Sequence, residues 1–180
     1  MYVIRDATNA FAKLDKTPPD EVAPLDKSLR NLSQRVYLPA AGREGRADAY
    51  ALETICTLRM LHKASVFGLD RWQLEKLAQF LQVADPMGNG RREKLAGRSR
   101  LLSPIEEAMQ RVRAGEAFSV VIAMLSDGTF KVRTDWEPDE EPDEAAEEIL
   151  AALGGTLSED ARFVLPASRL LSELLAELGA

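Results

Sequence analysis

A mainly α fold with a small β component, laid out as two modules, follows from three features of the sequence. Apolar residues recur at intervals of three and four along most of the chain, the spacing that gathers them on one side of a helix. Two short stretches, around Gly42–Gly45 and at Ser126-Asp127-Gly128-Thr129, break that period with turn residues between extended segments. The charge also divides. Residues 1–100 carry 17 Lys and Arg against 12 Asp and Glu, a net +5, and residues 101–180 carry 6 against 17, a net −11. The expected layout is an N-terminal helical module over residues 1–82, a basic linker over 83–102 and an acidic α+β module over 103–180. A chain of 180 residues, 46% of them apolar, can bury one ordinary core or two small ones.

Residues 7–16, with Ala10-Phe11-Ala12-Lys13-Leu14, predict a short amphipathic helix that Thr17-Pro18-Pro19 stops, because proline lacks a backbone donor and restrains the residue before it. Pro24-Leu25-Asp26 opens a second helix, whose Leu25, Leu29, Leu32 and Val36 form a single stripe. Its outer face then shows Lys27, Arg30, Asn31, Gln34 and Arg35. Residues 38–50 hold too much Gly and Pro for a helix and suit a short ribbon with basic residues Arg43 and Arg46 near its tip. Helices follow over 51–66, with Leu52, Ile55, Leu58 and Leu61 inward, and over 70–82, with Leu74, Leu77, Ala78 and Leu81 inward. Gly68 separates them, and Asp70 with Gln73 forms a capping box at the start of the second. Residues 83–100 lose apolar periodicity and carry Gly88, Gly90 and Gly97 among Arg91, Arg92, Lys94, Arg98 and Arg100, the pattern of a basic linker.

In the second half, Ser103-Pro104-Ile105-Glu106 is a helix start, with a capping hydroxyl, a proline where no backbone donor is needed and a carboxylate three residues on. Phe118–Leu125 and Phe130–Trp136 predict a hairpin joined by Asp127-Gly128 in a two-residue turn. An acidic connection over 137–144, a helix through Ile149, Leu150 and Leu153, a strand over Arg162–Leu165 and a last helix lined by Leu171, Leu174, Leu175 and Leu178 complete the module. Leu170 widens that last stripe. Core packing is its default use, and a homodimer contact is the alternative.

Several functions are disfavoured. Cys56 and His62 are the chain's one cysteine and one histidine, so an internal disulfide is excluded and a zinc site of the usual Cys/His kind is not expected. Their spacing of six on one helix points them to different faces, which suits a small core residue and a surface imidazole. No phosphate-binding glycine motif, nucleophile elbow or metalloprotease helix occurs, so neither catalysis nor a cofactor is expected. No run approaches the roughly 18 apolar residues of a membrane span and the first residues lack a signal-peptide pattern, so no membrane association and a cytoplasmic location are expected.

A helix that displays Lys, Arg, Asn and Gln is chemically suited to a major groove, where Arg reads guanine edges and Asn or Gln reads adenine edges. The order of elements adds to this. Val36-Tyr37-Leu38-Pro39, then Arg43, Arg46 and Tyr50, then Leu52–Leu61 and Phe67-Gly68-Leu69 make residues 10–82 resemble the DNA-binding domain of the MerR family, a winged helix-turn-helix. That resemblance implies groove-facing roles for Ser28, Arg30, Asn31 and Gln34, phosphate roles for Arg43 and Arg46, and a bacterial-type transcription factor bound to double-stranded DNA. Lys27 and Arg35 extend the same face, and Arg91 and Arg92 can follow a phosphate backbone. The chain departs from the family in a longer, proline-containing turn between the first two helices and in Val36-Tyr37 where a glycine is usual. The rival expectation is a protein–protein adaptor of the same shape that does not bind DNA. A protein partner of the C-terminal module is expected under either.

Overall fold

The computed structural model describes residues 1–83, 92–95, 98–136 and 157–180. Strand β1 (Tyr2–Val3) runs directly into α1 (Ile4–Leu14), followed by a short 3₁₀ turn at Pro19–Glu21, α2 (Val22–Arg35), the ribbon β2 (Gly42–Glu44) and β3 (Ala47–Tyr50), α3 (Leu52–Phe67) and α4 (Arg71–Gln82). Helix α1 starts three residues before its expected start because the Asp6 carboxylate accepts the Val3 backbone N–H at 2.9 Å, satisfying a donor the helix leaves unpaired. Helix α2 also starts early, at Val22. Pro24 is tolerated in its first turn, where the missing N–H has no helical partner to lose. The ribbon forms as expected, with Glu44 opposite Ala47 and the two-residue loop Gly45-Arg46 between them. Gly45 has φ 61°, the left-handed conformation that such a loop requires at its first position. Strand β1 adds itself to the far side of β3, Tyr2 opposite Tyr50 and Val3 opposite Ala49, giving a three-stranded antiparallel sheet in the order β1-β3-β2.

The remainder comprises the hairpin β4 (Arg92–Leu95) and β5 (Arg98–Leu101), α5 (Pro104–Arg113), β6 (Val120–Leu125), β7 (Phe130–Thr134), β8 (Glu159–Leu165) and α6 (Ala167–Leu178). The hairpin corrects the linker reading for these residues, since Arg92 pairs with Leu101 and Leu95 with Arg98 along a regular antiparallel ladder. Strands β7, β6 and β8 form a second three-stranded antiparallel sheet with β6 in the centre. Val120, Val121, Ile122 and Ala123 are all buried, as a central strand covered on both faces demands. The turn between β6 and β7 is one residue longer than expected. Leu125 donates to Thr129 at 2.9 Å around Ser126, Asp127 and Gly128, and the Asp127 carboxylate accepts both the backbone N–H and the hydroxyl of Thr129. The expected acidic connection over 137–144 and helix through Ile149, Leu150 and Leu153 lie outside the described residues. No helix among the described residues is long and apolar enough to cross a membrane.

Buried side chains of α1, α2, α3 and α4 and those of α5, β6 and α6 belong to one continuous apolar cluster. Helix α6 packs on α1, α3 and α5, and Leu170, Leu171, Leu174 and Leu175 are all buried there. The leucine stripe is therefore consumed inside the chain and offers no free face for a second copy. Lys13 of α1 also meets Glu177 of α6 at 2.7 Å.

A polar lock is set into this core. Arg59, in the middle of α3, is only 1% exposed, and its two terminal nitrogens donate to the two carboxylate oxygens of Asp15 at 2.7 Å each. Lys63, one turn on, donates to the same carboxylate at 2.7 Å. The Arg59 guanidinium lies 4.9 Å from the centre of the Phe11 ring, an attraction that offsets part of its desolvation, and its Nε has no hydrogen-bond partner among the described residues. His62 is also buried and stacks on Phe11 at 5.9 Å, which corrects the expectation of a surface imidazole. The periodic reading fails there because Phe11 of α1, and Asp15 just after it, meet the side of α3 that its stripe leaves polar.

Burial pushes the Asp15 carboxyl up, but hydrogen bonds and charge from Arg59 and Lys63 outweigh it and hold the group below its usual value. Burial pushes the His62 imidazole down to about 4; the nearby Asp15 resists this, and Arg59 and Lys63 add to it. An unfolded histidine titrates near 6.5, so between about pH 6.5 and 4 the unfolded chain binds a proton that the folded chain refuses. Stability is therefore expected to fall by about 2–3 kcal/mol as pH drops through that window. Urea unfolding at pH 7 and pH 4.5 checks this, with His62→Phe flattening the difference. Asp15→Ala leaves the Arg59 charge buried and unpaired and is expected to cost about 3–5 kcal/mol by the same measurement at pH 7.

Candidate nucleic-acid interface

Helix α2 buries Leu29, Leu32 and Ser33 against the body of the protein, and at 100° per residue this turns positions 27, 28, 30, 31, 34 and 35 outward. Lys27, Ser28, Arg30, Asn31, Gln34 and Arg35 are all exposed. The structure thus brings together on one helix face the six α2 residues singled out from sequence. No carboxylate occurs between Lys27 and Arg35, although the whole chain has a net charge of −6. Arg35 lies in the last turn, where a cation also complements the helix dipole.

Arg30 is not a free arm. Its Nε donates to Asp26 Oδ2 at 2.7 Å and its Nη2 to Oδ1 at 3.3 Å, while the Thr8 hydroxyl of α1 donates to Oδ1 at 3.1 Å. The Arg30 hydrogen bond holds the Asp26 carboxyl below its usual value against burial, the second-largest influence, with smaller help from Thr8 and from the charges of Arg30 and Arg5. The result is a half-exposed arginine tethered to one flank of the helix. That flank borders an open cleft of roughly 500 Å³ between α1 and α2, lined among others by Arg5 and Asn9 of α1 and by Asp26 and Arg30 of α2. Arg5 and Asn9, four apart and both exposed, were missed in the sequence reading; their i, i+4 spacing on α1 is the signal that pointed to them.

On the ribbon, Arg43 stands opposite Asp48 across the strand pair with 3.6 Å between charged atoms, both side chains well exposed. Arg46 occupies the second position of the tip loop, is exposed, and has no ion pair among the described residues. The ribbon is tied to the helices through β1, which pairs with β3 and continues into α1, and α1 packs on α2. Arg92 lies on β4, with its backbone paired to Leu101, and Arg91 lies outside the described residues.

The other reactive groups sit away from this surface. The Cys56 thiol is fully buried and pushed up to about 12, so it stays protonated at neutral pH. No group of three or more His, Cys, Asp or Glu among the described residues is placed to hold a metal ion. Compared with family models, with curated proteins and with solved structures, the chain shows no match, so its functional reading rests on the chemistry of its own residues.

Proposed function

We propose that the protein is a DNA-binding transcriptional regulator that lays the outer face of α2 into the major groove of duplex DNA and sets the β2–β3 ribbon against the phosphate backbone. One observation carries this reading: α2 exposes Lys27, Ser28, Arg30, Asn31, Gln34 and Arg35 on one face with no carboxylate among residues 27–35, on an acidic chain. Asn31 and Gln34 supply paired donor and acceptor groups for adenine edges, Arg30 and Arg35 supply donors for the acceptors of guanine edges, and Arg46 supplies a charge for phosphate. The element order helix, turn, helix, ribbon, helix, helix supports a winged helix-turn-helix of the MerR-like kind over residues 10–82. Cytoplasmic action follows from this reading. Any homodimer on two half-sites would have to use a surface other than the α6 leucines.

The adaptor reading draws on a different observation. Val66 and Phe67, at the end of α3, are 71% and 75% exposed, and the Phe67 ring lies 4.7 Å from that of Phe163 on β8. A partner protein seated there would leave α2 unused.

Fluorescence anisotropy of a labelled random duplex separates the two. Wild-type binding is expected to weaken steeply with salt, and Arg46→Ala to reduce the slope of log affinity against log salt by about one. Arg30→Ala is expected to weaken binding about tenfold at unchanged folding. Unchanged affinity in both variants, with wild type bound, would remove α2 and the ribbon from the interface. Asp26→Asn deletes the carboxylate that tethers Arg30 and repels phosphate; affinity is expected to rise about threefold while stability, checked by thermal unfolding, changes by less than about 1 kcal/mol.

A further inference from the structure

Among the described residues, five helices end in the same motif, in which the chain reverses through one left-handed residue and two backbone N–H groups close on the last turn. In α3, α5 and α6 that residue is a glycine: Gly68 with φ 109°, Gly115 with φ 78° and Gly179 with φ 68°. In α1 and α2 it is Lys16 and Tyr37, both with φ 53°. At the end of α2, Tyr37 donates to Gln34 at 3.3 Å and Leu38 to Ser33 at 3.0 Å, so the geometry is the complete motif with a bulky side chain where glycine is unstrained.

The fold gets little in return for that strain: the hydroxyl meets Arg71 in a side-chain hydrogen bond at the surface, and the ring packs on nothing among the described residues. Tyr37 is 80% exposed, and its ring has no aromatic or cationic stacking partner among the described residues. The apolar contact usual for this motif falls to the following residue, Leu38, which is buried, as is Leu32, and so makes no use of the Tyr37 ring. A residue that strains the backbone and leaves a large apolar ring in water points to an interaction outside the chain. Its surroundings say of what kind. Arg35, two residues before it, is exposed and has no ion pair among the described residues, and the Tyr37 hydroxyl lies beside the guanidinium of Arg71, which Glu75 holds at 2.7 Å.

Resting on the DNA-binding reading above, we infer that Tyr37 is a backbone contact: its phenol O–H donates to a phosphate oxygen of the duplex at the end of the α2 track, next to Arg35. Because the phenol is neutral, this contact adds affinity without releasing a counterion, unlike that of Arg46.

The test is Tyr37→Gly and Tyr37→Asn, two residues that accept the left-handed conformation, with Arg46→Ala alongside, in anisotropy with a labelled random duplex of about 25 base pairs at two salt concentrations. Both Tyr37 variants are expected to melt about 2–4 °C higher, as strain is relieved, yet to bind about fivefold more weakly with an unchanged salt slope. Higher melting with wild-type affinity would overturn the inference while leaving the DNA reading intact, provided Arg46→Ala still reduces the slope. Lower melting in both variants would also overturn it, because Tyr37 would then serve the fold. Absence of wild-type binding at low salt removes the DNA reading and this contact with it, and directs the exposed ring to a protein partner.

Discussion

Arg59 and Asp15 form the constraint on which the arrangement of this protein depends. An arginine at the centre of a core helix is tolerable only if its charge is met, and the bidentate contact at 2.7 Å meets it with a carboxylate 44 residues earlier in the chain. Asp15 is the cap of α1, so the pair fixes the end of α1 against the middle of α3. A one-turn slip of α1 would leave a cation buried without a partner, a larger penalty than the loss of a few apolar contacts. Lys63 joins the same carboxylate and Phe11 roofs the guanidinium, so one site sets both the register and the angle of the helix pair.

The candidate interface inherits its position from that lock. With α1 fixed on α3, β1 at its start pairs with β3 and holds the ribbon, and α2 packs across α1 with Leu29 and Leu32 inward. The polar face of α2 then has nowhere to point but solvent. Helix α6 closes the back of α1 and α3 with four buried leucines and the Lys13–Glu177 pair, so the C-terminal end of the chain braces the helices that present the interface. Asp26, held by Thr8 and Arg30, controls how much of the arginine charge is free at the flank.

Features written in adjacent residues were legible in the sequence. The Asp70–Gln73 capping box forms with both reciprocal hydrogen bonds, the ribbon around Gly45 closes where its glycine sits, and the outward set of α2 follows from its leucine spacing. Features that depend on a distant partner were not. His62 reads as a surface imidazole and Arg59 does not stand out at all, because nothing near them in sequence reveals Asp15 or Phe11. Strand β1 is two residues long and finds its partner at Ala49 and Tyr50. The β4–β5 hairpin lacks the apolar alternation that marks a strand, so its Arg and Gly content suggested a linker. Lys16 and Tyr37 take positive φ without the glycine that normally announces it. Of the site, the α2 face was read whole, whereas the tether on Arg30 and the contributions of Arg5 and Asn9 required the packing of α1 on α2.

Where a duplex touches the surface decides between DNA binding through α2 and a role elsewhere on the molecule. The direct measurement is an NMR titration of the isotope-labelled full chain with a short random duplex at low salt, following backbone amides residue by residue. Shifts concentrated at residues 27–37 and at Arg43–Arg46, with the amides of α6 and the end of α3 unmoved, are the predicted result. Shifts confined to Val66, Phe67 and β8, or none at all, would contradict it.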